Sequence, residues 1–153
     1  DFAAAFASPQ MRAYRTAEKI VAEHPTITLQ KEPSLREFSF GDWEGHKLDE
    51  MHLEVPDKWD CYQKTPSLFT ATHGDCMIAR VAESKAFVDR LLENHWGQNV
   101  LCVTRIFMAA ALGIPLESTR FFMAGNTAVS IIEYKRPDMP QMRVFGDVSH
   151  NLT

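Results

Sequence analysis

Paired cysteines, long apolar runs, an excess of basic charge and a glycine-rich loop are all missing from this sequence, and each absence closes a class of function. The 153 residues include three cysteines, Cys61, Cys76 and Cys102. Odd in number and widely spaced, they make neither a disulfide framework nor a metal-ligand pair, which fits a reducing cytoplasm. No apolar run approaches the ~20 residues of a membrane span, and no signal peptide is visible. Sixteen Lys and Arg against twenty Asp and Glu leave a net charge of −4, which offers nothing to a nucleic acid or an anionic membrane. No pair of histidines stands at helical spacing with a carboxylate, so no metal is expected, nor any other cofactor. Without a glycine-rich phosphate loop, nucleotide hydrolysis of the P-loop kind is excluded. Repeats, low-complexity tracts and linkers are absent as well. The chain is expected to form a single domain over residues 1–153, and 45% hydrophobic residues suffice for a real core.

What is present alternates between strand and helix patterns. Phe2–Ala7 reads as a buried strand. Ser8 as N-cap and Pro9 at the first helical position then open a helix whose inward stripe is Ala13, Ala17, Ile20 and Val21. Pro25–Pro33 is exposed, with a short strand expected at Thr26–Leu29. Leu35–Gly45 is an aromatic and acidic loop, Lys47–Lys64 one or two short helices interrupted at Pro56, and Thr65–Asp75 a loop. A long helix is expected from Met77 to Asn94, with Ile78, Val81, Ala82, Val88, Leu91 and Leu92 as its apolar stripe. Asn99–Thr104 reads as a buried strand, Ile106–Leu112 as a helix stopped by Gly113 and Pro115, Thr127–Tyr134 as a strand and Met142–Val148 as an edge strand. The alternation predicts an α/β fold: three layers, α/β/α, around a central, mostly parallel sheet. Met51, Met108 and Met123 read as core filler.

Two groups carry chemistry. Arg12 falls in the first turn of the first helix, at the carboxyl end of a strand, where unpaired N–H groups and the helix dipole favour an oxyanion. Glu37 lies among Phe38, Phe40 and Trp43, rings that can wall off water and favour the protonated form a general acid needs. Asp42 and Glu44 read as exposed charges. His73 precedes Gly74 in a loop before the long helix and is kept as a pocket-edge residue. His24, His46, His52 and His95 read as solvated, and His150 as structural.

Ser8–Ala17 (Ser-Pro-Gln-Met-Arg-Ala-Tyr-Arg-Thr-Ala) resembles the histidine phosphatase pattern of Ser-Pro, two residues, Arg-Ala, two residues, Thr-Ala. Leu35–Gly45 resembles the Leu-x-Glu-x-x-x-Gly-x-Trp-Glu-Gly segment of the same proteins, and Gly74-Asp75-Cys76 with Arg80 is similar to their Gly-Glu-Ser segment and following arginine. Asn126–Ile132 and Asp147–His150 fit the closing strands. The chain is thereby identified as similar to the histidine phosphatase, or phosphoglycerate mutase-like, superfamily. The resemblance implies Arg12 as a phosphate-binding arginine, Glu37 as proton donor, a small-molecule phosphoester as substrate, and hydrolysis through a phosphohistidine.

Two family features are not in the sequence. Members begin with a strand leading into Arg-His-Gly, whose histidine is the nucleophile, and carry a His-Gly pair after the strand that here is Val100–Thr104. This chain runs Val103-Thr104-Arg105, directly from strand to helix, where about two to six connecting residues are needed. An N-terminal strand and a loop between Thr104 and Arg105 are therefore expected to be missing. Two alternatives stay open. One is a cofactor-dependent phosphoglycerate mutase, against which Asp42-Trp43-Glu44-Gly45 favours the phosphatase branch. The other, if the chain is complete, is a non-catalytic relic that binds phosphate or a partner.

Overall fold

The computed structural model of the protein describes residues 1–47, 50–104, 107–122 and 124–151. Strand β1 (Ala4–Ala7) is the middle of a three-stranded parallel sheet, flanked by β2 (Leu29–Lys31) and β3 (Val100–Val103). Ala7 stands opposite Lys31 on one side and Val103 on the other. Parallel neighbours need crossovers, and helix α1 (Met11–Ala22) supplies the one from β1 to β2.

Alternation along β1 divides the helices between the two faces. Ala5 and Ala7 are wholly buried, and Lys31, in register with Ala7, lies over the Tyr14 ring of α1 at 4.7 Å. Small side chains let α1 sit close, and its Ala17 is also wholly buried. Phe6 points the other way and meets Phe87 of α4 (Met77–Asn94) edge-on, with ring centroids 5.2 Å apart. The chain is thus α/β, with a central parallel sheet and flanking helices.

The remaining elements surround this centre. The short helices α2 (Met51–Glu54) and α3 (Pro56–Lys64) divide at Pro56, the first residue of α3. Beside them, Phe38, Trp43, Met51, Phe69 and Ala71 form a buried cluster. Helix α5 (Met108–Leu112) stops at Gly113, whose φ of +63° takes the left-handed conformation that glycine tolerates. Strands β4 (Val129–Tyr134) and β5 (Pro140–Asp147) make an antiparallel pair of their own. The Tyr134 hydroxyl, donating to the Ala111 carbonyl, ties that pair to α5.

Local differences from the sequence expectations have identifiable causes. Ser8 does not cap α1. Its N–H extends the sheet by donating to Val103 O at 3.1 Å, and Gln10 becomes the N-cap residue. Strand β2 begins at Leu29 rather than Thr26, because Ile27 N–H donates back to His24 O at 3.1 Å and holds the chain in a turn. The inward stripe of α4 is Arg80, Ser84, Phe87 and Val88, and Ile78 is 57% exposed. The described strands fall into two sheets rather than one. His24 and His95 are half-buried against Phe2 and Phe6 instead of solvated. Met51 is buried and Met108 half-buried. The Thr104–Arg105 junction and Met123 lie outside the described residues.

Candidate active site

The carboxyl end of β1 leads through Ser8 and Pro9 into α1, which sets Arg12 in the first helical turn. Its side chain is exposed, and Nη2 donates to the Glu37 carboxylate and to Gln10 Oε1 at 3.3 Å. Arg12 and Glu37 stand 25 residues apart in the sequence, so only the β1–α1–β2 crossover brings them together. An open surface depression of about 580 Å³ is lined by Gln10, Met11, Arg12 and Arg15. Two guanidinium groups on one wall make it a place for an anion.

Glu37 rides on a loop whose backbone is fastened by other side chains. Its entrance is the 3-10 turn Pro33–Leu35, where Glu32 accepts from the Ser34 N–H at 3.0 Å and the Ser34 hydroxyl at 2.7 Å. Three successive carbonyls then receive side-chain donors. Arg80 Nη2 and Ser84 Oγ reach Ser34 O at 3.2 and 3.0 Å, Thr104 Oγ1 reaches Leu35 O at 3.0 Å, and Arg80 Nη2 reaches Arg36 O at 2.9 Å. Arg36 itself forms a two-point pair with Asp75, at 2.6 Å for each bond. The same carboxylate accepts from Ser39 N–H at 2.7 Å, and these hydrogen bonds, Arg36 first, hold its pKa below the usual Asp range.

Two glycines press the Glu37 loop against the Thr70–Cys76 turn. Gly41 has φ +56°, and a Cβ there would lie 2.0 Å from Thr72 O. A Cβ on Gly74 would lie 2.6 Å from Ser39 O and 2.7 Å from Gly41 N. No side chain fits between these backbones, and the Asp42 N–H donates to Thr72 O at 3.0 Å across the contact.

The aromatic residues after Glu37 turn inward, where Phe38 and Trp43 join Phe69 in the buried cluster. About a quarter of the Glu37 side chain stays exposed (25%), in contact with Arg12. His73, with φ +55°, places Nδ1 2.9 Å from Asp42 Oδ1 at the far tip of the turn, and both side chains are largely exposed. The structure therefore joins Arg12 with Glu37 and pairs His73 with Asp42. Sequence reasoning overlooked the fastening of the loop by Arg36, Asp75, Arg80, Ser84 and Thr104. Its signal was available in α4, where Arg80, Ser84, Phe87 and Val88 keep helical spacing with two polar members. Among the described residues, no group of three or more His, Cys, Asp or Glu is placed to hold a metal ion.

The family model of the histidine phosphatase superfamily, branch 1, matches residues 1–147. The chain belongs to the histidine phosphatase superfamily. Phosphoserine phosphatase 1 of Hydrogenobacter thermophilus is 26% identical over 132 residues, which are 83% of this chain and 62% of that protein. The histidine phosphatase chain therefore spans less than two thirds of that curated relative. Among solved structures, YhfR of Bacillus stearothermophilus is 29% identical with a TM-score of 0.80, covering 98% of this chain and 76% of its own. The alpha-ribazole phosphatase of Shigella flexneri, 24% identical, has a TM-score of 0.79 over 96% of this chain and 74% of its own. At that identity it shows the fold alone, which is the phosphoglycerate mutase-like one.

Proposed function

We propose that the protein to which this chain belongs hydrolyses small phosphomonoesters through a phosphohistidine, with Arg12 binding the phosphoryl group and Glu37 as proton donor. The contact between Arg12 and Glu37 at the carboxyl end of β1 carries this reading. Open α/β sheets bind ligands at that end of their strands. A relative named as a phosphatase supports hydrolysis over a mutase. The nucleophilic and second pocket histidines implied by the resemblance are assigned to no residue of this chain, so the reading concerns the whole protein. We also take residues 1–153 as one domain of it, acting in the cytoplasm and without a metal.

In this mechanism the phosphoryl oxygens take over the donors that Arg12 now gives to Glu37. Glu37, protonated, passes its proton to the ester oxygen as the P–O bond breaks and the N–P bond to histidine forms. The Glu37 carboxylate then takes a proton from water, whose oxygen attacks phosphorus. The N–P bond breaks and orthophosphate leaves. Arg12 neutralises charge on the phosphoryl oxygens throughout. His73 is kept as a residue of the pocket edge, with Asp42 as its partner.

The test is phosphate release from a generic aryl phosphate by the whole protein, with and without vanadate. Vanadate-sensitive release is expected. Bisphosphoglycerate-dependent isomerisation with little release would assign a mutase instead, and no phosphoryl transfer at all would leave a binding protein.

A further inference from the structure

Arg80 is the strongest case of a buried charge that the proposed chemistry does not use. Its side chain is 5% exposed, and it is not among the residues that line the depression at Arg12. Its Nη2 instead spans the carbonyls of Ser34 and Arg36, and its Nε lies 3.9 Å from Asp75 Oδ2. Burying a guanidinium is costly unless its donors are met, and here loop carbonyls and carboxylates meet them. Asp75 completes the hold by gripping the residue before Glu37 through the Arg36 side chain and the second residue after it through the Ser39 amide. The backbone around Glu37 is thus fixed on both sides, from one helix and one turn.

We infer that Asp75 and Arg80 are positioning residues which hold the Glu37 carboxyl group at its place opposite Arg12, resting on the proton-donor reading of Glu37 given above. Neither residue touches the phosphoryl group; both act through the loop. Proton transfer requires heavy atoms about 2.6–3.2 Å apart, so a loop slackened by an ångström loses the transfer without losing the phosphate. Release of the Asp75 clamp therefore separates turnover from binding.

The experiment is a double-mutant cycle on the whole protein, comparing wild type, Glu37→Gln, Asp75→Asn and the double variant on an aryl phosphate. Asp75→Asn is expected to lower kcat by about ten- to a hundredfold, with KM changed less than about threefold. In the Glu37→Gln background the same substitution is expected to cost less than about twofold, because the group it positions is already gone. Arg80→Met is expected to behave likewise, and Arg80→Lys to recover only part of the loss because it lacks the fork. Losses that multiply, or an Asp75→Asn kcat within about twofold of wild type, would overturn the inference. Should Asp75→Asn fail to melt cooperatively, Arg36→Lys enters the same cycle, retaining the charge while losing the two-point grip on Asp75. Its kcat loss, about threefold or more, should again vanish beside Glu37→Gln. If Glu37→Gln itself leaves kcat unchanged, the proton-donor reading fails and takes this inference with it. If Glu37→Gln slows turnover and the Asp75 loss persists beside it, only the positioning role fails.

Discussion

Replacing Gly41 by alanine attacks the contact that holds the Glu37 loop to the Thr70–Cys76 turn, and its cost can be worked from the geometry. The φ of +56° at Gly41 is a left-handed conformation that costs an L-residue about 1–2 kcal/mol. The new Cβ would stand 2.0 Å from the Thr72 carbonyl oxygen, and the obstacle is backbone that no rotamer change can move aside. Overpacking of that kind costs about 1–3 kcal/mol. Pushing the loops apart also strains the hydrogen bond from Asp42 N–H to Thr72 O, contributing about 1 kcal/mol. The sum is about 3–6 kcal/mol. Gly45 is the internal control: its φ is +88° but nothing lies within 4 Å, so Gly45→Ala meets only the conformational cost of about 1–2 kcal/mol. The difference of about 2–4 kcal/mol corresponds to a Tm lower by roughly 10 °C for a chain of this size. Urea and thermal unfolding of the two variants, followed by circular dichroism, measure it. Equal destabilisation by Gly41→Ala and Gly45→Ala would refute the close-contact account of this loop.

Three further outcomes are expected. Glu37→Gln in the whole protein should slow phosphate release by about 10²–10⁴-fold, and an unchanged kcat would remove Glu37 from the chemistry. Phe69, 1% exposed and within ring contact of Phe38, Trp43 and Tyr62, should cost about 3–5 kcal/mol when cut to alanine. A urea titration showing less than about 1 kcal/mol would mean the cluster can collapse around the gap. The Asp75 pKa is lowered in the fold, first by its hydrogen bonds to Arg36, so its contribution to stability is full above the unfolded Asp value near ~4. It is lost as pH falls through the lower, folded value. The stability gap between wild type and Asp75→Asn should therefore be constant at neutral pH and close below about pH 4. A gap that persists at low pH would show that the carboxylate charge is not what holds the loop.

The sequence by itself was enough for the class of fold and for the two residues that meet. Strand and helix periods give β1, α1, α4 and β3 within a few residues, since each period reflects which side of an element faces the core. The spacing of Ser8-Pro9 from Arg12 and of Glu37 from Gly41 and Trp43 carried the family resemblance that the match over residues 1–147 establishes. What the sequence could not show is how Glu37 is held. Arg36 pairs with a carboxylate 39 positions away, Arg80 with carbonyls 44 and 46 positions away, and Gly41 touches a turn it precedes by about thirty residues. Such partners follow from crossovers in the chain, not from local propensity, and their polar members look like ordinary helix and loop residues until the carbonyls they serve are in place. The same holds for Ser8, a good N-cap by its type, which tertiary structure recruits instead to complete the sheet at Val103. Composition and period decide which side chains want burial. Only the assembled fold decides which buried polar group finds which acceptor, because that pairing is fixed by backbones that meet from distant parts of the chain.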